Sequence, residues 1–189
     1  MRELAEVLEA PVTAGLEGKS AFPESHRLSL GSGGRSLPGP VHHFVQNADL
    51  IFGIGCSFAS TSYGIQFPAS KTYIQATLDP ADINRDLAVA DALVGDAKLT
   101  LGSLVEAVGD RLNGQPRGMA DTVAEEIQRV RAEWESAWRH KTGSDKAPLS
   151  PYRVIRDLHA TVDVPNTIIT HDAGSPRDQL SPFWTSERR

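Results

Sequence analysis

Cysteine is nearly absent from this chain of 189 residues, where Cys56 stands alone. A single thiol excludes an intrachain disulfide framework and suits a reducing compartment. No stretch approaches the ~20 consecutive apolar residues that cross a bilayer. The opening Met1-Arg2-Glu3-Leu4 has no apolar signal-peptide core. A soluble, cytoplasmic protein without a membrane partner is therefore expected. Excess positive charge is missing as well: 19 Lys and Arg against 24 Asp and Glu leave a net charge of -5. Nucleic acid, which asks for a basic surface, is not an expected partner. His42-His43 has no Cys, Asp or third His at ligand spacing, so no metal site is expected there. Ser57 lacks a Gly-x-Ser-x-Gly elbow, which disfavours an independent serine hydrolase. There is no internal repeat.

What is present suffices for a buried core: 40% of residues are hydrophobic and 23% charged. The chain is organised around Ala48-Asp49-Leu50-Ile51-Phe52-Gly53-Ile54-Gly55-Cys56-Ser57-Phe58. Its apolar character is continuous rather than alternating, as in a strand of a parallel sheet covered on both faces. Gly53 and Gly55 allow a sharp turn or a close approach at the strand's carboxyl end, where open α/β sheets bind ligands. No third glycine follows at the spacing of a dinucleotide fingerprint, so a packing turn and a ligand contact both fit.

Upstream, Leu4, Val7 and Leu8 mark one face of a helix over Arg2–Glu9, and Ala10–Ala14 reads as a short strand. A chain that opens on a helix and then a strand hints at sequence preceding Met1. Gly15 to Pro40 is dense in Gly and Pro and reads as a long irregular loop. Lys19, His26 and Arg35 within it are either solvated or able to meet an anion. One or two helical turns over Val41–Asn47 precede the central strand.

Downstream, Lys71–Asp79 is a β-branched and aromatic run ending in an acid. Asp79 either reads a ribose hydroxyl, as acids at such strand ends do, or caps the Pro80-Ala81-Asp82 turn. Ala90–Asp96 holds a further short strand. Asp96 stands as N-cap of a helix striped by Leu101, Leu104, Val105, Val108 and Leu112. Met119, Val123, Ile127, Val130, Trp134 and Trp138 predict a long helix over Met119–Lys141. Glu125–Arg129, Arg131–Glu135 and Glu135–Arg139 are available as i,i+4 pairs, and the two tryptophans read as a packing ridge. Thr142–Pro148 has linker composition. Ser150 and Pro151 open another helix, and Asn166–Gly174 reads as a strand followed by a glycine turn.

These landmarks together resemble the acetolactate synthase-like superfamily of thiamine-diphosphate-dependent enzymes. They are Ala10-Pro11-Val12, Gly18-Lys19, Ala21-Phe22-Pro23-Glu24, Ser29-Leu30-Gly31, Gly53-Ile54-Gly55, Leu78-Asp79-Pro80-Ala81-Asp82-Ile83, Val94-Gly95-Asp96-Ala97, Leu149-Ser150-Pro151 and Ile169-Thr170-His171-Asp172-Ala173-Gly174. No single motif is specific; their order along nearly the whole chain carries the likeness.

The resemblance implies an α/β fold with a Rossmann-like parallel sheet flanked by helices, incomplete at its N-terminal edge. Residues 1–114 would form a central domain lacking its first strand, 115–148 a helix and linker, and 149–189 the truncated start of a diphosphate-binding domain. Some family members bind FAD or ADP in the central domain, and others bind nothing there. Carried over by position, Asp79 and Ile83 fall where adenosine contacts occur, Asp96 and Ala97 near the adenine, and Asp172, Gly174 and Ser175 on the turn that approaches the thiamine diphosphate phosphates; Gly53, Gly55 and Ser57, at the carboxyl end of the central strand, are the further candidate cofactor contacts.

There are departures. Thr77 stands where many members carry an acid, and the glycine loop after the family's first strand is missing. Neither the Gly-Asp-Gly…Asn motif that binds Mg2+ nor the activating glutamate occurs in these residues. The resemblance therefore implies a non-catalytic piece of an enzyme acting on a 2-keto acid or similar carbonyl compound. Its expected partners are the remainder of that enzyme and, in a homo-oligomer, further copies. A free-standing FAD- or ADP-binding module and a structural oligomerisation domain are the alternatives.

Overall fold

The computed structural model describes residues 1–186. Helix α1 (Arg2–Leu8) buries Leu4 and Ala5 and ends at Glu9, whose left-handed φ of 51° turns the chain into strand β1 (Val12–Ala14). Strand β2 (Ser29–Ser32) pairs parallel with β1. Helix α2 (Gly39–Asn47) then leads into β3 (Leu50–Ile54), β4 (Thr72–Thr77) and β5 (Asp91–Val94). These three form a parallel sheet in the order β3-β4-β5, with Leu50 opposite Thr72 and Ile74 opposite Asp91. Helices α3 (Ala97–Arg111), α4 (Ala120–Thr142), α5 (Pro151–Thr161) and α6 (Ser175–Leu180) follow. Helix α2 packs on β2 and α4, while α3 packs on β4 and α1. The fold is therefore α/β with parallel sheets flanked by helices.

Leu30, Val41, Val45, Ile65 and Ile127 form the main buried cluster, and Ala5, Phe22 and Leu28 a second. The long helix α4 shares this core: its buried Ala124, Ile127 and Val130 recur at the helical spacing that the sequence displays. Gly39 lets α2 approach closely, since a Cβ there would stand 2.5 Å from Trp134 Cβ. Beyond it runs the aromatic ridge. Phe183 stacks on Trp134 at 4.7 Å, and Trp138 meets Tyr152 at 4.9 Å. The tryptophans thus pack, as their spacing suggests. A third cluster, Ile155, Leu180 and Trp184, joins α5 to α6.

Several expectations need correction. The stretch between Gly15 and Pro40, expected to be wholly irregular, contains β2, a ladder of only four residues that includes two serines and a glycine and so carries little strand signal. Its partner is the strand expected at Ala10–Ala14, which lies in a two-stranded sheet separate from β3-β4-β5. Asn166–Gly174 is not a strand. A 3-10 turn covers Val164–Asn166, and the residues beyond run without a ladder, leaving Ile168 94% exposed. β-Branched residues favour a pleat only where a neighbouring strand can pair. The glycine turn leads instead into α6, which the sequence pattern does not announce.

On α4, Arg129 pairs with Glu133 at 2.8 Å rather than with Glu125, and Arg131 donates to the Ser29 carbonyl at 2.8 Å rather than to Glu135. Ser150 caps α5 without a side-chain hydrogen bond. No helix among the described residues is long and apolar enough to cross a membrane.

Candidate functional site

The carboxyl ends of β3, β4 and β5 assemble most of the residues singled out in the sequence. After Ile54 the chain turns at Gly55, whose φ of 65° suits glycine and whose missing Cβ faces open space. Gly53 serves packing instead: a Cβ there would lie against the Phe58 ring edge at Cζ, 2.5 Å from Cys56 Sγ and 2.8 Å from Phe58 Cε2. The loop after β3 thus folds back over its own strand. Phe58 is buried and meets Phe67 and Tyr73 edge-on at 5.3 Å and 5.2 Å. Ser57 Oγ accepts the Ala59 amide at 3.3 Å, closing the same loop.

Gln75, fully buried in the middle of β4, escapes a reading of the sequence. Its Nε2 donates to the Cys56 carbonyl at 2.9 Å and to the Asp82 carbonyl at 3.2 Å, tying the turns after β3 and β4 together. The only signal is one amide side chain in the middle of a strand bounded by Thr72 and Thr77. A second tie joins the Ser60 amide to Asp86 Oδ2 at 2.6 Å.

Asp79 and Asp96 at this end are occupied by their own backbone. Asp79 Oδ1 accepts the Ala81 amide at 2.9 Å, which is the capping alternative read from the sequence. Half-buried Ile83 follows that turn, its amide bonded to the Pro80 carbonyl at 3.2 Å. Asp96 Oδ1 accepts the Lys98 and Leu99 amides at 2.9 Å and 3.0 Å, with exposed Ala97 beginning α3. Two of the first-turn donors that could greet a phosphate are therefore filled. From Asp79 to Lys98 the segment outside β5 carries four carboxylates, Asp79, Asp82, Asp86 and Asp96, against Arg85 and Lys98. Arg85 itself lies 3.4 Å from Asp82. An acidic rim beside a helix start that Asp96 already caps does not fit a dinucleotide's diphosphate.

Burial is the chief cause that pushes the Cys56 thiol above its ordinary pKa; a Phe58 backbone hydrogen bond opposes this and the Asp82 charge adds to it. The thiol is protonated at neutral pH and a poor nucleophile.

Asp172, Gly174 and Ser175 lie in the C-terminal segment rather than at the strand ends. Asp172 Oδ1 accepts the Ala173 amide at 2.8 Å, Gly174 has φ 80° and caps α6, and all three residues are exposed. Among the described residues no three His, Cys, Asp or Glu side chains gather as a metal site. One carboxylate already bonded to its own turn is a poor donor set for a metal-held diphosphate. These residues alone do not fit thiamine diphosphate. His43, which has no metal partners at ligand spacing, lies 2.6 Å from Glu126 Oε1.

Two of the three loop side chains Lys19, His26 and Arg35 have acidic neighbours. His26 Nε2 lies 3.1 Å from Glu6 Oε1, and Lys19 meets Glu24 at 2.9 Å. The anion that Lys19 meets is thus internal. Outside a helix, the spacing from Lys19 to Glu24 carries no pairing signal in the sequence.

Residues 1–104 match the family described as thiamine pyrophosphate enzyme, central domain, and the chain belongs to that family. Thiamine pyrophosphate is another name for thiamine diphosphate. The chain is 28% identical over 193 aligned residues to a probable acetolactate synthase large subunit of Methanococcus aeolicus, covering 98% of this chain and 32% of that protein. It is 29% identical over 197 residues to its counterpart in Methanocaldococcus jannaschii, covering 97% and 31%. It is 34% identical over 118 residues to the acetolactate synthase of Mycobacterium avium, covering 61% and 19%. The chain spans about a third of the length of the two archaeal relatives.

Proposed function

We propose that this chain is the central portion of a thiamine-diphosphate-dependent enzyme acting on a 2-keto acid or related carbonyl substrate, and that it is not catalytic alone. One observation carries this. Nearly the whole chain aligns with about a third of acetolactate synthase large subunits, yet at its strand ends burial raises the Cys56 thiol above its ordinary pKa and Asp79 and Asp96 are bonded to their own turns. In such enzymes thiamine diphosphate supplies the electron sink that the chemistry needs. The Mg2+ site, the activating acid and most of the cofactor pocket would come from the remainder of the parent enzyme, working in the cytoplasm as a homo-oligomer.

The exposed apolar surface suits that role. Leu78 is 75% and Leu99 73% exposed, and Val94 and Leu50 are exposed at the sheet. These are surfaces for other parts of an assembly to cover. The free-standing nucleotide module is disfavoured by the acidic rim and by Asp96 capping the start of α3.

Reading the DNA that flanks this segment tests the proposal. The expected frame continues upstream to a domain carrying the activating glutamate and downstream to the Gly-Asp-Gly…Asn motif. Functional start and stop signals immediately bounding the segment would overturn it.

A further inference from the structure

The loop before β2 and the end of the chain are far apart in sequence and interlocked in space. Lys19 Nζ lies 2.9 Å from both Glu24 carboxylate oxygens and donates to Ser32 Oγ at 2.9 Å. It also donates to the Ser181 carbonyl, 162 residues away, at 3.1 Å. Glu24 answers from the other side of the pair. Its Oε2 accepts the Ser186 amide at 2.7 Å, and its own amide donates to the Ser186 carbonyl at 3.0 Å. Ser32 Oγ donates to Glu24 Oε1 as well. The Lys19 side chain is 20% and that of Glu24 7% exposed. Burial pulls the Lys19 ammonium below its ordinary pKa, and the charge of Glu24 opposes this.

We propose that Lys19 and Glu24 form an ionic latch that seats the segment from α6 to Ser186 on the loop before β2, and thereby sets where the Asp172–Ser175 turn stands. The cation holds the carbonyl at the carboxyl end of α6, and the anion holds the amide five residues further on. Removing either partner leaves the other charge buried without its counterion, so the latch depends on both. Phe183 on Trp134 and Trp184 beside Leu180 supply an apolar seat between these two points, and Arg177 reaches over the Tyr63 ring at 5.0 Å. Apolar contact tolerates sliding, whereas the two polar anchors fix one register.

Helix α6 begins directly after Gly174 and spans about 9 Å at the usual helical rise. Holding Ser181 therefore holds the turn at its other end. That this turn matters to a cofactor rests on the function proposed above; the latch itself does not.

Amide hydrogen exchange on the whole chain, followed residue by residue, tests the latch without any activity assay. In Lys19→Met and in Glu24→Gln, the amides of Ser181, Trp184 and Ser186 should exchange faster by about tenfold or more, while those of Val45 and Ile127 keep their protection. Unchanged exchange in 181–186 would overturn the proposal. So would an equal acceleration in α2 and α4, which would make the pair a general stabiliser.

Should either variant fail to fold, the wild-type chain in low denaturant tests the same contact. The Ser186 and Ala21 amides should open together as one unit, with a common denaturant dependence and below the global unfolding free energy. Separate opening of the two would refute the latch. The flanking reading frame, which tests the parent enzyme, is indifferent to either outcome.

Discussion

Replacing glycine by alanine should have opposite effects at two helical positions of this protein. At Gly39, in the first turn of α2, the new Cβ would stand 2.5 Å from Trp134 Cβ, 2.8 Å from Cγ and 3.1 Å from Cδ1. Carbon atoms pack best at about 3.5–4.0 Å, so α2 and α4 would have to part by about 1 Å. The atoms met are at the root of the tryptophan, so no rotamer change of its ring relieves the clash. Parting the helices loosens Val41, Val45 and Ile127 together. Overpacking of this kind costs about 1–3 kcal/mol.

At Gly102, within α3, a Cβ would meet nothing within 4 Å. There the gain from a stiffer unfolded chain and better helix propensity is about 0.5–1 kcal/mol. With a urea dependence of about 2 kcal/mol per M, Gly39→Ala should lower the unfolding midpoint by ~0.5–1.5 M. Gly102→Ala should raise it by ~0.2–0.5 M. Urea titrations followed by tryptophan fluorescence and by circular dichroism measure both. A Gly39→Ala protein as stable as wild type would refute the direct approach of α2 to α4, and with it the placement of the aromatic ridge.

Glu9 accepts the Gly118 amide at 3.2 Å and the Met119 amide at the start of α4; the Met119 bond chiefly lowers its pKa, burial opposes, and the Gly118 bond adds to the lowering. Its contribution is present above the ordinary value near 4.5 and is lost as pH falls through the lower folded value. Glu9→Gln should flatten that acid-side slope of stability, and an unchanged slope would contradict the contact. Cys56 should react with iodoacetamide at neutral pH more slowly than a free thiol, since burial raises its pKa; a rate equal to that of glutathione would place it in solvent. FAD and ADP should bind weakly or not at all by calorimetry. An affinity near -8 kcal/mol or better would mean that the acidic rim accepts a diphosphate after all.

Much of the fold is legible in the sequence because its signals are periodic or capped. Continuous apolar residues mark β3, helical spacing marks α4, and Asp96 marks the start of α3 in the place it occupies. Strand β2 is hidden because its ladder depends on β1 and on Pro38 packed against Gly31, neither of which is a local property of Ser29–Ser32. The strand expected at Asn166–Gly174 fails for the complementary reason: residues such as Ile168 and Ile169 favour a pleat, but no neighbouring strand pairs with them.

At the candidate site, residue type identifies Asp79 and Asp96 as caps or ligands without separating the two. Only the hydrogen bonds to Ala81, Lys98 and Leu99 do so. The roles of Gln75, Lys19 and Glu24 are not legible in the sequence, because the carbonyls and amides they hold are brought near by folding.

The proposed reading gives this chain the family's central domain and leaves the chemistry to the rest of the parent enzyme. Incubating the chain with Mg2+, thiamine diphosphate and a panel of 2-keto acids, with released carbon dioxide measured against buffer, tests that most directly. No release above the control is expected, because Asp172 is committed to its own turn and no three His, Cys, Asp or Glu side chains gather as a metal site among the described residues. Turnover that disappears in Asp172→Ala would contradict it.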